Sequence, residues 1–267
     1  MTGILKDLVR AVRAERLKLK GTLALWLAAI APAVVLVVEA LAIYGRREYY
    51  LNRGLADAWG DLAMQTMVLW CLVMLPLFVA LETALVAQLE HGNQQWKHLC
   101  ALPISRGALY TAKQLGGMAL IGISLVMLVA FTLICGVMLR FLIPNIGFEA
   151  SPPLGEIGEF AAFVFLASWL MISIQTWVAQ RWSSFVVASA VGVAMTTIGV
   201  IVIQSRYAGY YPWTLPILVA NGFSEYIHPL NVLAEGVRPV KELLIGSVGG
   251  VVTAVLGGWN LTRRDVF

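Results

Sequence analysis

Charge is scarce in this 267-residue sequence: Asp, Glu, Lys and Arg together make up 13% of it, against 60% hydrophobic residues. That balance excludes an ordinary soluble domain, in which about a quarter of the residues carry charge. Cysteine and histidine number three each, and neither is arranged for chemistry. Cys71, Cys100 and Cys135 show no Cys-x-x-Cys or Cys/His spacing, and His91, His98 and His228 are scattered. The thiols read as packing groups, and no metal site is expected. His-Glu-x-x-His and Gly-x-Ser-x-Gly are missing, as is any pair of carboxylates with catalytic spacing, so the chain is not expected to be an enzyme. Also missing is Gly-x-x-x-x-Gly-Lys-Ser/Thr, the loop that cradles nucleotide phosphates. No nucleotide cofactor is expected in this chain. If it pumps, its energy comes from a partner or an ion gradient.

What is present is lipid-compatible sequence, with a mean hydropathy of +0.80. The apolar residues fall into six continuous runs: Leu23 to Tyr44, Leu62 to Ala87, Leu115 to Leu139, Phe160 to Val178, Phe185 to Ile203 and Leu243 to Leu261. A hydrocarbon core ~30 Å thick needs about 20 apolar residues per helix, and each run approaches or exceeds that. Continuous runs, not alternating ones, exclude a closed barrel. The expected fold is therefore an all-α integral membrane domain with six transmembrane helices, occupying 1–267 as one unit. A seventh apolar piece, Trp213 to Ala220, is too short to cross and is bracketed by Pro212 and Pro216. It reads as a re-entrant or interfacial segment.

Six spans put both termini on one side. Twelve of the 19 basic residues fall on that side, among them Lys6, Arg10, Arg13, Arg16, Lys18 and Lys20 before the first span, and Lys97, Arg106 and Lys113 between the second and third. The positive-inside rule then places both termini in the cytoplasm. A cleaved signal peptide ending near Ala40-Leu41-Ala42 is the competing reading of the start. The basic stretch of ~20 residues is long for such a leader, and the run behind it is long enough to span. Residues 1–21 place Ile4, Leu5, Leu8, Val9 and Val12 at helical spacing among basic positions. They read either as an amphipathic elbow helix on the cytoplasmic leaflet, in contact with membrane lipids, or as a solvated basic leader; neither implies nucleic acid.

The segment from Gln88 to Lys113, QLEHGNQQWKHLCALPISRGALYTAK, is the most informative. A helix over Glu90 to Leu102 is ended by Pro103, because a proline pushes the residue before it out of the α region. Trp96 and Leu99, three apart, share a face of it. With Lys97 beside them they form either a knob that docks into another protein or an aromatic belt at the headgroups. Glu90, Trp96-Lys97, Leu99, Pro103-Ile104-Ser105-Arg106 and Lys113 resemble the cytoplasmic coupling segment of ABC-2-type exporter permeases. Glu15-Arg16-Leu17-Lys18-Leu19-Lys20 and Pro32 are similar to the family's approach to its first span. Within the family the flavour is nearest the small permeases of peptide-antibiotic export and immunity. The resemblance implies coupling to a cytoplasmic P-loop ATPase through residues 88–113, including Glu90, Trp96, Lys97, Leu99, Pro103 and Arg106. It also implies ATP and Mg bound by that partner, and a second permease subunit, identical or related. The crowded segment Gly45 to Gly60, with three arginines on the translocated side, departs from the plain pattern.

Carboxylates inside the spans are costly and usually face a cavity or a partner. Glu82 and Glu39 are the candidates for a transport path; Glu82 is also placed to hydrogen-bond across helices, and Glu39 to snorkel outward. Gln175 and Gln204 read as helix-packing groups. Gly246, Gly249 and Gly250 contain a small-xxx-small pair that permits close helix approach, within the chain or between copies. Residues 205–241, rich in aromatics, resemble the broken outer hairpin of the family, with Tyr211 and Trp213 as an outer gate or as belt residues. The function so implied is ATP-driven export of an amphipathic or hydrophobic substrate, a peptide antibiotic or a lipid-like molecule, across the bacterial inner membrane. A secondary transporter or a non-transporting sensor subunit is the alternative.

Overall fold

A computed structural model of the chain describes residues 2–53, 58–91, 105–182, 184–227 and 239–263. Trp96, Lys97, Leu99 and Pro103, and with them the expected coupling helix, lie outside the described residues. So does the 228–238 part of the outer loop.

The described residues are 87% helical with no strand among them. An N-terminal helix, α1 (Thr2–Leu19), turns into the first span, α2 (Leu23–Gly45), through Gly21 at φ +77°. That left-handed conformation is one that a side chain resists, so glycine defines the bend. A short α3 (Arg47–Arg53) follows; Tyr50 on it is buried, and the Arg47 guanidinium lies 5.0 Å from the Tyr44 ring. The second span is built of α4 (Ala58–Leu69) and α5 (Leu75–His91), joined by a π-helical turn over Trp70–Met74. Pro76 has no N–H to give to the helix ladder. The turn before it widens, and the Leu75 N–H reaches back five residues to the Trp70 carbonyl.

The remaining spans are α6 (Arg106–Leu142), α7 (Leu154–Arg181), α8 (Phe185–Val202) and α10 (Val240–Thr262). With α2 and Ala58–Leu89 they make six helices long and apolar enough to cross a membrane. Four begin earlier than the apolar runs predict, at Ala58, Arg106, Leu154 and Val240. Hydropathy registers only lipid-compatible stretches, whereas a helix continues as long as its flanking turns pack against something. At 37 residues α6 is about 55 Å long, well beyond the hydrocarbon core.

The short apolar piece expected over Trp213 to Ala220 is helical from Leu215: α9 (Leu215–Ile227) carries Pro216 in its first turn, where a missing N–H costs nothing. Its 13 residues reach about 20 Å, too short to cross. Leu215, Ile217, Val219 and Ala220 are buried, with α9 packed on α7 and α4. Gln204 is exposed after α8, a correction to its expected packing role; its place past the last helical turn turns it outward.

Trp70, Leu75, Leu128, Met171 and Ile172 sit at the centre of the apolar core. The most extensively packed helix pair among the described residues is α7 with α10. A Cβ on Gly246 would fall 2.6 Å from the Ala167 backbone, and one on Gly250 2.7 Å from Trp169. The small-residue pair thus serves a contact inside the chain. At the end remote from α1, Trp59 lies across Gly136, stacks edge-on to Phe148 at 5.1 Å and donates its indole N–H to the Ala150 carbonyl at 2.9 Å.

Candidate functional site

The base of α6 leads directly out of the segment with the coupling pattern. Ser105 caps it, its Oγ accepting from the Ala108 N–H at 3.3 Å, and Arg106, half-buried, opens the helix. Glu90 lies in the last turn of α5, on the other flank of that segment. The first three turns of α6 are gripped from three sides. Ala11 of α1 packs with Leu109 and Ala112. Lys113 Nζ stands 3.4 Å from Glu15 Oε1, and both side chains are almost wholly buried, at 2% and 7% exposure. Lys18 adds a second, partly exposed cation 3.0 Å from the same oxygen. On the opposite flank the Tyr110 phenol lies flush against Gly257 of α10, where a Cβ would meet its oxygen, and Gln114 Nε2 donates to Ser173 Oγ of α7 at 2.8 Å. Sequence reasoning singled out Glu15 and Lys113 separately, as parts of two motifs. Nothing in a linear reading joins residues 98 apart.

Above this base lies a buried polar layer. Gln175 of α7 donates to the Ala188 carbonyl of α8 at 2.8 Å, and Gly192 closes on Ala80 of α5 so tightly that a Cβ has no room. Glu82, on α5, is 1% exposed, and neither carboxylate oxygen has a hydrogen-bond partner among the described residues. The hydrogen bond expected across helices is not made to any described residue. Oxygens of Gln114, Gln175, Gln180 and Thr176 are likewise buried without a partner among the described residues. Glu39, on α2, is 8% exposed and lies toward the C-terminal end of its helix, on the side of Arg46. The two carboxylates sit on different helices, and no contact joins them.

Tyr211 and Trp213 are held, not loose. The Tyr211 hydroxyl donates to the Met195 carbonyl at 2.7 Å, its ring is tilted against Trp213 at 5.8 Å, and Trp213 is buried over Gly199 of α8. Burial pushes the Tyr211 phenol above its usual range. Thr214 Oγ1 hydrogen-bonds to the Ala208 carbonyl and lies 2.8 Å from that of Tyr211, closing the turn on itself. Lys241 Nζ, at the start of α10, lies 3.9 Å from the Tyr210 ring centre. The two residues proposed as a gate are thereby brought together in one plug against α8.

Between α6 and α7 runs a groove of about 480 Å³ lined only by apolar residues, among them Gly122, Val126, Leu133, Gly158 and Phe165. Its size is that of a small-molecule site, and its lining suits a hydrocarbon ligand.

A scan against protein-family models matches residues 11–202 to the ABC-2 family transporter protein model. No curated protein and no solved structure matches the chain. The match runs from α1 to the end of α8, so it takes in the base of α6, the polar layer and five of the six spans. Permeases of this kind work with an ATPase subunit and are not themselves the ATPase. With the match covering most of its length and six helices able to cross a membrane, the chain belongs to the ABC-2 family of transporter proteins, as a multi-pass permease component of an ABC transporter.

Proposed function

We propose that this permease exports an amphipathic or hydrophobic substrate, a peptide antibiotic or lipid-like molecule, using ATP hydrolysed by cytoplasmic P-loop ATPase subunits. The observation that carries the reading is the family match over residues 11–202, together with a coupling-type segment that leads straight into the buried base of α6. Two permease subunits, identical or related, meet along a central axis, with ATP and Mg bound by the partner ATPases. Residues 1–267 form one transmembrane domain in the bacterial inner membrane, with both termini cytoplasmic. Residues 1–21 lie as an elbow on the inner leaflet: Leu5, Val9 and Leu17 of α1 are exposed, as a lipid-facing side requires. Residues 88–113 dock the ATPase, with Trp96 and Leu99 as the apolar knob, Lys97, Glu90 and Arg106 as its charged rim, and Pro103 ending the helix. Residues 205–241 form the outer re-entrant segment, gated at Tyr211 and Trp213. Glu82, buried and without a partner among the described residues, supports a transport path through α5; Glu39 extends it outward. The apolar groove between α6 and α7 supports a substrate class with hydrocarbon parts.

The test is affinity purification from native membranes in mild detergent. A soluble P-loop ATPase is expected to copurify in near-equal amount, and Trp96→Ala or Lys97→Glu is expected to release it while the permease stays folded. Absence of any ATPase across several detergents, or its full retention by both variants, overturns the coupling assignment.

A further inference from the structure

We infer that the Glu15–Lys113 ion pair is a positioning element, one that makes α1 and the base of α6 a single moving body, so that displacement of the coupling segment carries the N-terminal helix with it. The functional half of this inference rests on the ATP-driven reading above; the mechanical half does not.

Three observations support it. First, the pair is desolvated: Lys113 is 3% exposed and Glu15 5%, with Nζ and Oε1 3.4 Å apart. Two charges removed from water hold each other strongly, and separating them breaks a desolvated contact, so the pair resists opening more than a surface bridge. Second, the packing of α1 on the bundle runs along α6 among the described residues. Ala11 and Val12 pack on Leu109 and Ala112, and Leu19 touches the face of α6 at Gly116, whereas Leu5, Val9 and Leu17 turn outward. All these contacts fall on α6. Third, no atom lies within 4 Å of a Cβ built at Gly21, and the turn there is closed locally, by the Thr22 N–H and hydroxyl on the Leu19 carbonyl at 3.2 and 2.8 Å, so the grip on α6 is what ties α1 beyond its own turn. Lys18, on α1 itself, also faces Glu15, at 3.0 Å. Tyr110, three residues before Lys113, meets Gly257 of α10 from the other side. The base of α6 therefore holds α1 by charge and α10 by shape, at Lys113 and Tyr110, within the last four residues of the expected coupling segment 88–113.

The experiment uses the full-length permease carrying Glu15→Cys and Lys113→Cys, with Cys71, Cys100 and Cys135 changed to alanine, read with and without a short thiol cross-linker. Hydrogen exchange of α1 in the isolated permease tests the mechanical half. Without the bridge, exchange over residues 5–16 is expected to rise about tenfold or more, because α1 then opens independently of the bundle; bridging is expected to restore protection, which also shows that the variant is folded. Lys113→Arg, which keeps the charge, is expected to match the parent. Equal protection of the parent and the unbridged variant overturns the inference. In the reconstituted complex with its ATPase, the unbridged variant is expected to hydrolyse ATP while substrate movement per ATP falls at least about tenfold, and the bridged variant to recover it. Loss of movement on bridging shows that α1 must slide along α6 and overturns the single-body inference. If no ATPase associates at all, the ATP-driven reading fails, while the exchange data still decide whether the pair holds α1.

Discussion

Replacing Gly246 or Gly250 with alanine tests a helix seam in which each glycine lies against backbone. A Cβ at Gly246 would lie 2.6 Å from the Cα and carbonyl oxygen of Ala167, and one at Gly250 2.7 Å from the carbonyl carbon of Trp169, where ordinary contact begins at 3.4 Å. The obstacles are largely backbone and cannot rotate aside, so α7 and α10 must separate by about 0.7–0.8 Å along this seam. A gap of that size forfeits roughly a quarter to a half of the dispersion energy of every contact it loosens, and overpacking of this kind costs about 1–3 kcal/mol. Each single variant is expected to lose that much in stability. The double variant should lose less than the sum, because the two glycines lie about one turn apart on one face and share a single displacement. Equilibrium unfolding in detergent micelles measures this directly. Gly155→Ala is the control: nothing lies within 4 Å of its Cβ position, and alanine favours the helix, so no loss is expected. If Gly246→Ala and Gly250→Ala are as stable as Gly155→Ala, the seam is not close-packed, and the role assigned to these glycines is wrong.

Other outcomes follow from single sites. Gly21→Val forces a β-branched residue into a φ of +77° between α1 and α2 and is expected to cost about 1–2 kcal/mol, read as a lower midpoint in the same unfolding assay; an unchanged midpoint would mean the bend relaxes. Trp59→Phe keeps the ring against Phe148 but removes the N–H donated to the Ala150 carbonyl, with an expected loss of about 1 kcal/mol and faster proteolysis between α6 and α7. Glu82→Gln removes a buried ionisable group without emptying its space, so the midpoint is expected to hold or rise while reconstituted transport slows; transport at the parental rate would assign Glu82 to packing alone.

The candidate sites were legible to different depths. Trp96, Lys97, Leu99 and Pro103 stand out in the sequence as a motif and fall outside the described residues, so their docking role rests on the resemblance and awaits the copurification test. Glu82 stood out as a charge in an apolar run, but its lack of a partner depends on which faces of α5 the neighbouring helices cover. Tyr211 and Trp213 were visible as aromatics in a loop. Their closure on Met195 and Gly199 comes from the return of the chain along α8. Tyr110 drew no attention, since one tyrosine in a basic, mixed segment carries no periodic or motif signal; its partner Gly257 is nearly 150 residues away.

By itself the sequence determined that this is a six-span helical membrane protein, because hydrocarbon leaves a chain no way to satisfy its backbone except in continuous helices about 20 apolar residues long, and six such runs are written in it. It also carried the family, through short motifs that survive without any knowledge of packing. Tertiary structure alone decided where the helices end, because the first turns of α6 are too polar for the hydropathy signal and are helical through burial against α1, α7 and α10. It decided that the glycine pair serves a contact within the chain, and that Glu15 and Lys113 meet. Those outcomes depend on which helix faces which, and lipid, equally hospitable to any apolar face, leaves that choice to the fit of side chains across each seam.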